Sequence, residues 1–252
     1  MAHVVAVANP KGGVGKTTSV VNLGVSLARL EKNTLALDFD PQGALSAGLG
    51  KATNARKESI YNALLDSRIP LSRIIQPART YLDLIPANID LASAEMELLS
   101  EIRREYVLRR RLEPLQSQYD VILIDCPPSL GLLSVNALCA SQSIVVPLQC
   151  EYFALRSIRP LVDAVNKVKA KLNPKLELSV ILPTLYSTGT IHSREVLDEI
   201  RSEFGDRVFH GVIYKSIRFA EASAAGQAIV EYDPEHKGAR TYRELAQTLI
   251  HA

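Results

Sequence analysis

The sequence predicts a doubly wound α/β domain with a mostly parallel sheet, on three observations. Short β-branched runs alternate with longer stretches of helical spacing. The runs are apolar throughout, which is the pattern of strands covered on both faces. A glycine-rich loop bearing two lysines follows the first run and precedes the first helix. No repeat and no linker composition interrupts the 252 residues, so a single domain over residues 1–252, starting directly at its first strand, is expected. Short right-handed crossovers then put a site at the carboxyl ends of the strands.

The strand candidates, in order, are His3–Asn9, Thr34–Asp40, Leu82–Ala87, Tyr119–Pro127, Gln142–Leu148, Leu176–Tyr186 and Arg207–Tyr214. Each is short and rich in Val, Ile, Leu or aromatic residues. Val20–Leu30 carries apolar residues at helical spacing and follows the first strand. Further helices are expected over Ser59–Ser67, Leu91–Gln116, Ser134–Ala140, Ala154–Leu172, Ser193–Glu203, Ile217–Gly226 and Ala239–His251. Within Leu91–Gln116, Leu108, Leu112 and Leu115 fall at i, i+4, i+7 and form an apolar face. That turns the five arginines of Glu101–Leu115 mostly toward solvent, with a DNA or partner surface as the other reading.

Composition removes several function classes. A hydrophobic fraction of 47% supports a sizeable core. No apolar run approaches the roughly 18 residues of a transmembrane helix. The opening MAHVVAVANP lacks the basic region and long apolar segment of a secretory leader. Cys126, Cys139 and Cys150 have no metal-type spacing; they read as small buried hydrophobes in a reducing, cytoplasmic setting. A net charge of +2 is not that of a polycation, so any nucleic-acid binding must come from a local patch.

The chemistry concentrates in NPKGGVGKTT, Asn9–Thr18. A strict phosphate loop reads G-x-x-x-x-G-K-[ST], and here Pro10 stands at the first glycine. The remainder keeps the physics. Gly12, Gly13 and Gly15 let the backbone around Val14 turn tightly and aim its N–H groups at phosphate oxygens. The helix from Lys16 points its positive end at the same place. Lys16 would neutralise β- and γ-phosphate charge and the Thr17 hydroxyl would bind Mg²⁺, with Thr18 completing the run. Asp125 closes the apolar run Val121–Ile124, and a carboxylate at the end of a buried strand would hold Mg²⁺ directly or through water.

KGGVGKTT resembles the deviant Walker A signature of the ParA/MinD group of ATPases. The likeness extends through DFDPQG (Asp38–Gly43), ILIDCPPSLG (Ile122–Gly131), VVPLQCEYFAL (Val145–Leu155), IRFAEASAAGQAI (Ile217–Ile229) and GARTYRELA (Gly238–Ala246). It covers nearly the whole chain and is strongest to the short ParA/Soj partition ATPases, which lack an N-terminal helix-turn-helix domain. The resemblance implies an ATP hydrolase with Mg²⁺ and a sandwich homodimer on ATP. It further implies non-specific binding of the dimer to double-stranded DNA, with hydrolysis and release triggered by a ParB-like partner. The setting would be cytoplasmic and nucleoid-associated.

The same resemblance assigns residues. Lys11 would reach the other subunit's nucleotide, as an arginine finger does. Asp40, in the first switch, would orient the attacking water and help hold Mg²⁺; Asp38 reads as a structural acid. Cys126–Ser129 would form the second switch, its two prolines making a stiff turn. Lys215 and Arg218 would contact DNA phosphates. Another family arginine is replaced by Gly189, which Arg194 or His192 would offset. Ala44 stands where relatives carry Asn. Tyr214 replaces a proline beside the adenine and either stacks on the base or ends a strand.

Two relatives of the same chemistry remain open: an ATPase that positions another cargo, such as a protein microcompartment or chemoreceptor cluster, and a MinD-like membrane switch. The membrane class needs a basic amphipathic end. Here Tyr242, Leu245, Leu249 and Ile250 share a face with only Arg243 as a strong base, which better fits a core-packing helix, so no membrane partner is expected.

Overall fold

A chain whose strands are apolar on both faces must cover both faces with helices, and this one does. A computed structural model describes residues 1–51, 59–189 and 191–251. The strands are β1 His3–Val7, β2 Thr34–Asp38, β3 Gln76–Arg79, β4 Leu82–Ile85, β5 Val121–Asp125, β6 Ser143–Gln149 and β7 Glu177–Thr184. They form one sheet in the order β3-β4-β2-β5-β1-β6-β7. Every pairing is parallel except β3 with β4.

The sheet divides the core by residue parity. In β1, Val4 and Ala6 belong to one apolar cluster and Val5 and Val7 to the other; all four are fully buried. The first cluster is covered by α3 Ile60–Leu65, α4 Leu91–Glu97, α5 Val107–Leu112, α6 Leu132–Ala140, α7 Ala154–Lys171 and α8 Ile191–Phe204. The second is covered by α1 Lys16–Arg29, α2 Ala44–Gly48, α9 Arg218–Ala224, α10 Ile229–Tyr232 and α11 Lys237–His251.

Helix α11 packs along α1. The Tyr242 hydroxyl lies 3.1 Å from that of Ser19. Leu245 and Leu249 are buried in the same cluster, with Ile250 against it. The last helix therefore spends its apolar face on the core. No helix among the described residues is long and apolar enough to cross a membrane.

The structure differs from the sequence reading in five elements. The strand expected over Arg207–Tyr214 is reduced to two isolated parallel bridges, Ile181–Val208 and Tyr186–Tyr214, because a bend at His210–Gly211 breaks the run. The helix expected over Leu91–Gln116 is broken: Arg103 takes a left-handed φ of 55°, and Pro114 sits in a closing 3₁₀ turn. Its apolar face survives, with Leu108, Leu112 and Leu115 all buried. The short antiparallel strand β3, containing Pro77, and the short helices α2 and α10 carry too few residues to show a period.

Pro147 lies inside β6, an inner strand, where a missing N–H would normally break a ladder. Pairing with β1 ends at Val145, opposite Val7. Beyond it the Asn9 side chain takes over, its Nδ2 donating to the Pro147 carbonyl at 2.8 Å.

Leu245→Ala, at a fully buried position between α11 and the sheet, is expected to lower the unfolding free energy by about 2–5 kcal/mol. Urea denaturation of the two proteins measures this.

Candidate functional site

The loop after β1 is shaped by its own side chains. Asn9 is buried, and besides its bond to Pro147 its Oδ1 accepts the Lys11 N–H at 2.9 Å. Gly13 and Gly15 adopt φ of 73° and 93°, conformations that strain any residue with a Cβ. The Thr184 hydroxyl, at the end of β7, donates to the Val14 carbonyl at 2.9 Å and pins the loop's crest. Gly15 caps α1, so the first turn of that 14-residue helix opens into a cleft of about 460 Å³. Residues Gly12–Thr18 line the cleft, joined by Asp40 and Pro128 from beyond β2 and β5. Tyr214, Lys215 and Phe219 join from the chain around the start of α9.

Lys16 is 7% exposed, and its Nζ donates to the Lys11 carbonyl at 3.1 Å. Burial lowers its pKa, opposed first by the nearby Asp125 carboxyl. Lys11 goes elsewhere. Its Nζ donates to Gln149 Oε1 at 3.2 Å and pairs with the Glu151 carboxylate, both just beyond Pro147 on the chain. It is absent from the cleft lining. The two lysines of one loop are thus separated, one over the cleft and one turned out of it.

Acids meet at the strand ends because β2 and β5 are neighbours in register, Asp38 beside Asp125. Asp125 is fully buried. Its Oδ2 accepts the Thr17 hydroxyl at 2.7 Å, and its Oδ1 has no partner. Burial, and next the charge of Asp38, push its pKa well above the usual carboxylate range. Asp38 is satisfied by Ser46, whose N–H and hydroxyl donate at 2.8 and 2.7 Å. Burial nonetheless raises its pKa to about 6. Asp40 is half-buried, and its Oδ1 accepts the Gln42 N–H at 3.0 Å, an Asx turn that shapes the Asp40–Gly43 loop.

An orphaned buried carboxylate oxygen beside a hydroxyl and two further acids suits a small hard cation. The described residues hold no group of three or more His, Cys, Asp or Glu side chains able to cage a metal alone. Mg²⁺ asks for one or two carboxylates and fills its octahedron with water and phosphate oxygens, so the donor set fits it.

The other expected residues fall as follows. Tyr214 is half-buried and lines the cleft; its ring meets Tyr186 edge-on, centroids 5.7 Å apart, so it is both a cleft wall and a bridge to the end of β7. Lys215 is exposed at the mouth of the same cleft. Arg218 is exposed at the start of α9, its guanidinium held by Glu221 at 2.9 Å and Asp233 at 4.0 Å. Arg194 is exposed on α8, a separate element, and His192 stacks on Tyr152. All three cysteines are buried free thiols; burial pushes Cys139 to about 12 and Cys150 to about 11.

Sequence reasoning missed Asn9, Gln149, Glu151 and Thr184, single polar residues at strand ends with no spacing signature. It also missed Leu185, a cleft residue held at a left-handed φ of 51°. Such a conformation costs about 1–3 kcal/mol and persists where its surroundings demand it.

Strand, glycine loop, lysine and Asp125–Thr17 pair define a P-loop nucleotide-binding protein. A family described as AAA domain matches residues 2–178, well over half of the chain. The sporulation initiation inhibitor protein Soj of Bacillus subtilis is 43% identical over 247 residues, 98% of each chain. The chromosome partitioning protein ParA of Myxococcus xanthus is 41% identical over 251 residues, 99% of this chain and 88% of that one. The crystal structure of cobyrinic acid a,c-diamide synthase from Mycobacterium smegmatis, with bound ADP and magnesium, is 38% identical with a TM-score of 0.87 over 99% of this chain and 94% of that one. An McdA variant of Cyanothece in complex with ATP shares the fold, with a TM-score of 0.90 at 21% identity over 99% and 96% of the two chains. The chain belongs to the AAA-domain family of P-loop ATPases and, within it, to the ParA/Soj group.

A pH dependence follows from Asp38. The folded state holds its proton more tightly than the unfolded chain, so this group favours folding below about pH 4, and that contribution is lost as pH rises to about 6. In nucleotide- and metal-free protein the loss attributable to Asp38 is about 3 kcal/mol. Asp38→Asn should flatten the fall by that amount in urea titrations from pH 4 to 7.

Proposed function

We propose that this chain is a ParA-type partition ATPase whose nucleotide state switches its affinity for DNA. The observation that carries the reading is the separation of the two lysines: Lys16 serves its own cleft, and Lys11 is presented outside it.

ATP binds with its phosphates on the loop Lys11–Thr18 and its base toward Tyr214. The backbone N–H groups of the loop and the first turn of α1 hold the phosphate oxygens. Lys16 leaves the Lys11 carbonyl for the β- and γ-phosphates. Thr17 and Asp125 would hold Mg²⁺, and Asp40 would help to hold it. When bound, the metal offsets phosphate charge. Asp40 positions the attacking water at the edge of the cleft. Lys11 exchanges Gln149 and Glu151 for the nucleotide of a second copy, so the sandwich homodimer and the competent site form together.

The dimer binds double-stranded DNA through phosphate contacts from Lys215, Arg218 and Arg194, without regard to sequence. A ParB-like activator stimulates hydrolysis and release, and the cycle runs on the nucleoid in the cytoplasm to segregate a chromosome or plasmid. Arg218 must exchange two carboxylates for phosphates, so its contribution is smaller than that of a free guanidinium. The use of α11 in the core weighs against a membrane switch.

The central experiment measures binding to random-sequence duplex DNA with ADP, ATP and a non-hydrolysable analogue. The expected result is at least tenfold tighter binding with the analogue than with ADP; equal affinity in all three states overturns the reading. Lys11→Ala should retain nucleotide binding and lose ATP-dependent dimerisation, followed by light scattering. Asp40→Ala should abolish turnover and accumulate the ATP-bound dimer; normal turnover in phosphate-release assays would remove Asp40 from the site.

A further inference from the structure

A second concavity, about 320 Å³, lies behind Tyr214, which lines both it and the nucleotide cleft. Three stretches of chain build it. Helix α8 supplies Arg201, the bend before Tyr214 supplies His210, and α11 supplies Lys237, Arg240 and Glu244. The α11 residues recur at i, i+3 and i+7, so one helix face is turned to the pocket.

The charges are unequal. Three basic side chains, Arg201, Lys237 and Arg240, face one acidic side chain, Glu244, in the lining. That carboxylate is engaged by His210, with Nε2 to Oε2 at 3.3 Å. Lys237 Nζ sits 5.4 Å from the centroid of the Tyr214 ring. Among the described residues, Arg201 donates to the His210 carbonyl alone, at 3.4 Å. Arg240 is exposed and makes no ion pair with a described residue. The position of Lys237 and Arg240 gives the helix nothing: cations in the first turn oppose its dipole, and no acid there offsets them. An anion held between α8 and α11 would relieve that opposition and satisfy the two guanidinium groups, whose forked donors match phosphate oxygens.

We propose that this pocket is a phosphate-binding site, with Arg201 and Arg240 as its principal ligands and Lys237 as a third charge. Its phosphate belongs either to a nucleic-acid backbone or to a free phosphorylated small molecule. The nucleic-acid form rests on the DNA-binding reading above and adds α8 and α11 to the contact surface; the small-molecule form does not depend on it. Sharing Tyr214 makes the pocket a neighbour of the nucleotide, so occupancy of one can bias the other, and reciprocally.

The test uses the full chain loaded with a non-hydrolysable ATP analogue and Mg²⁺, so that the cleft is filled. Inorganic phosphate is titrated while the side-chain ¹⁵N–¹H resonances of Arg201 and Arg240 are followed, with chloride at matched ionic strength as control. In parallel, anisotropy of fluorescein-labelled random-sequence duplex DNA is measured across a salt series. The comparison is among the wild type, the Arg201→Gln/Arg240→Gln pair and the Arg201→Lys/Arg240→Lys pair.

The nucleic-acid form predicts that the Gln pair loses about tenfold or more in DNA affinity, with the salt slope reduced by about 2 and mostly restored in the Lys pair. Phosphate-specific resonance shifts with unchanged DNA affinity in the Gln pair support the small-molecule form. Equal responses to phosphate and chloride, together with unchanged DNA affinity, overturn the site. If the wild type binds no DNA, the partition reading fails and the phosphate titration alone decides the pocket.

Discussion

Everything in the cleft is arranged around one unfinished hydrogen-bonding group. Asp125 is buried at the end of a central strand, with Thr17 on one oxygen and nothing on the other. A buried carboxylate without a full set of partners destabilises the chain that carries it. The neighbouring strand worsens matters by placing Asp38 alongside. The opposing positive charge, Lys16, is itself buried and held by a backbone carbonyl. The proposed Mg²⁺ would put a positive charge beside that oxygen and offset this cost.

The geometry that keeps this cost in place is made by the sheet. Parallel register sets the ends of β1, β2 and β5 level, so residues far apart in sequence converge without long loops. Asn9 then does the work that a longer β1 would do, completing the ladder at Pro147 and shaping the turn into the phosphate loop. The proline of β6 and the proline of the loop are linked through one asparagine. Just past Pro147, Gln149 and Glu151 hold Lys11. The same short length of chain holds Lys11, whose carbonyl in turn accepts from Lys16.

Much of this was legible from sequence because the signals are local and repeated. Fully apolar runs identified the six parallel strands, and the loop and Asp125 stood at the junctions where chemistry was expected. What escaped was set by tertiary context. Arg207–Tyr214 has strand composition, yet the bend at His210–Gly211 leaves it two isolated bridges among the described residues. Arg103 interrupts a long helical pattern through a left-handed φ that no propensity announces. Asn9, Thr184 and Glu151 are single polar residues whose partners lie more than a hundred positions away. Periodicity has no purchase on such pairs, and the placement of Lys11 could not be read without them.

The contact between α1 and α11 joins the first helix to the last. Ser19, on the helix that carries the phosphate lysine, meets Tyr242 near the other end of the chain, and His3 Nδ1 lies 3.3 Å from the Leu249 carbonyl. The helix that carries the phosphate lysine is thus braced by residues more than two hundred positions away. A substitution that loosens α11 would reach the cleft through α1 without altering any residue of the glycine loop.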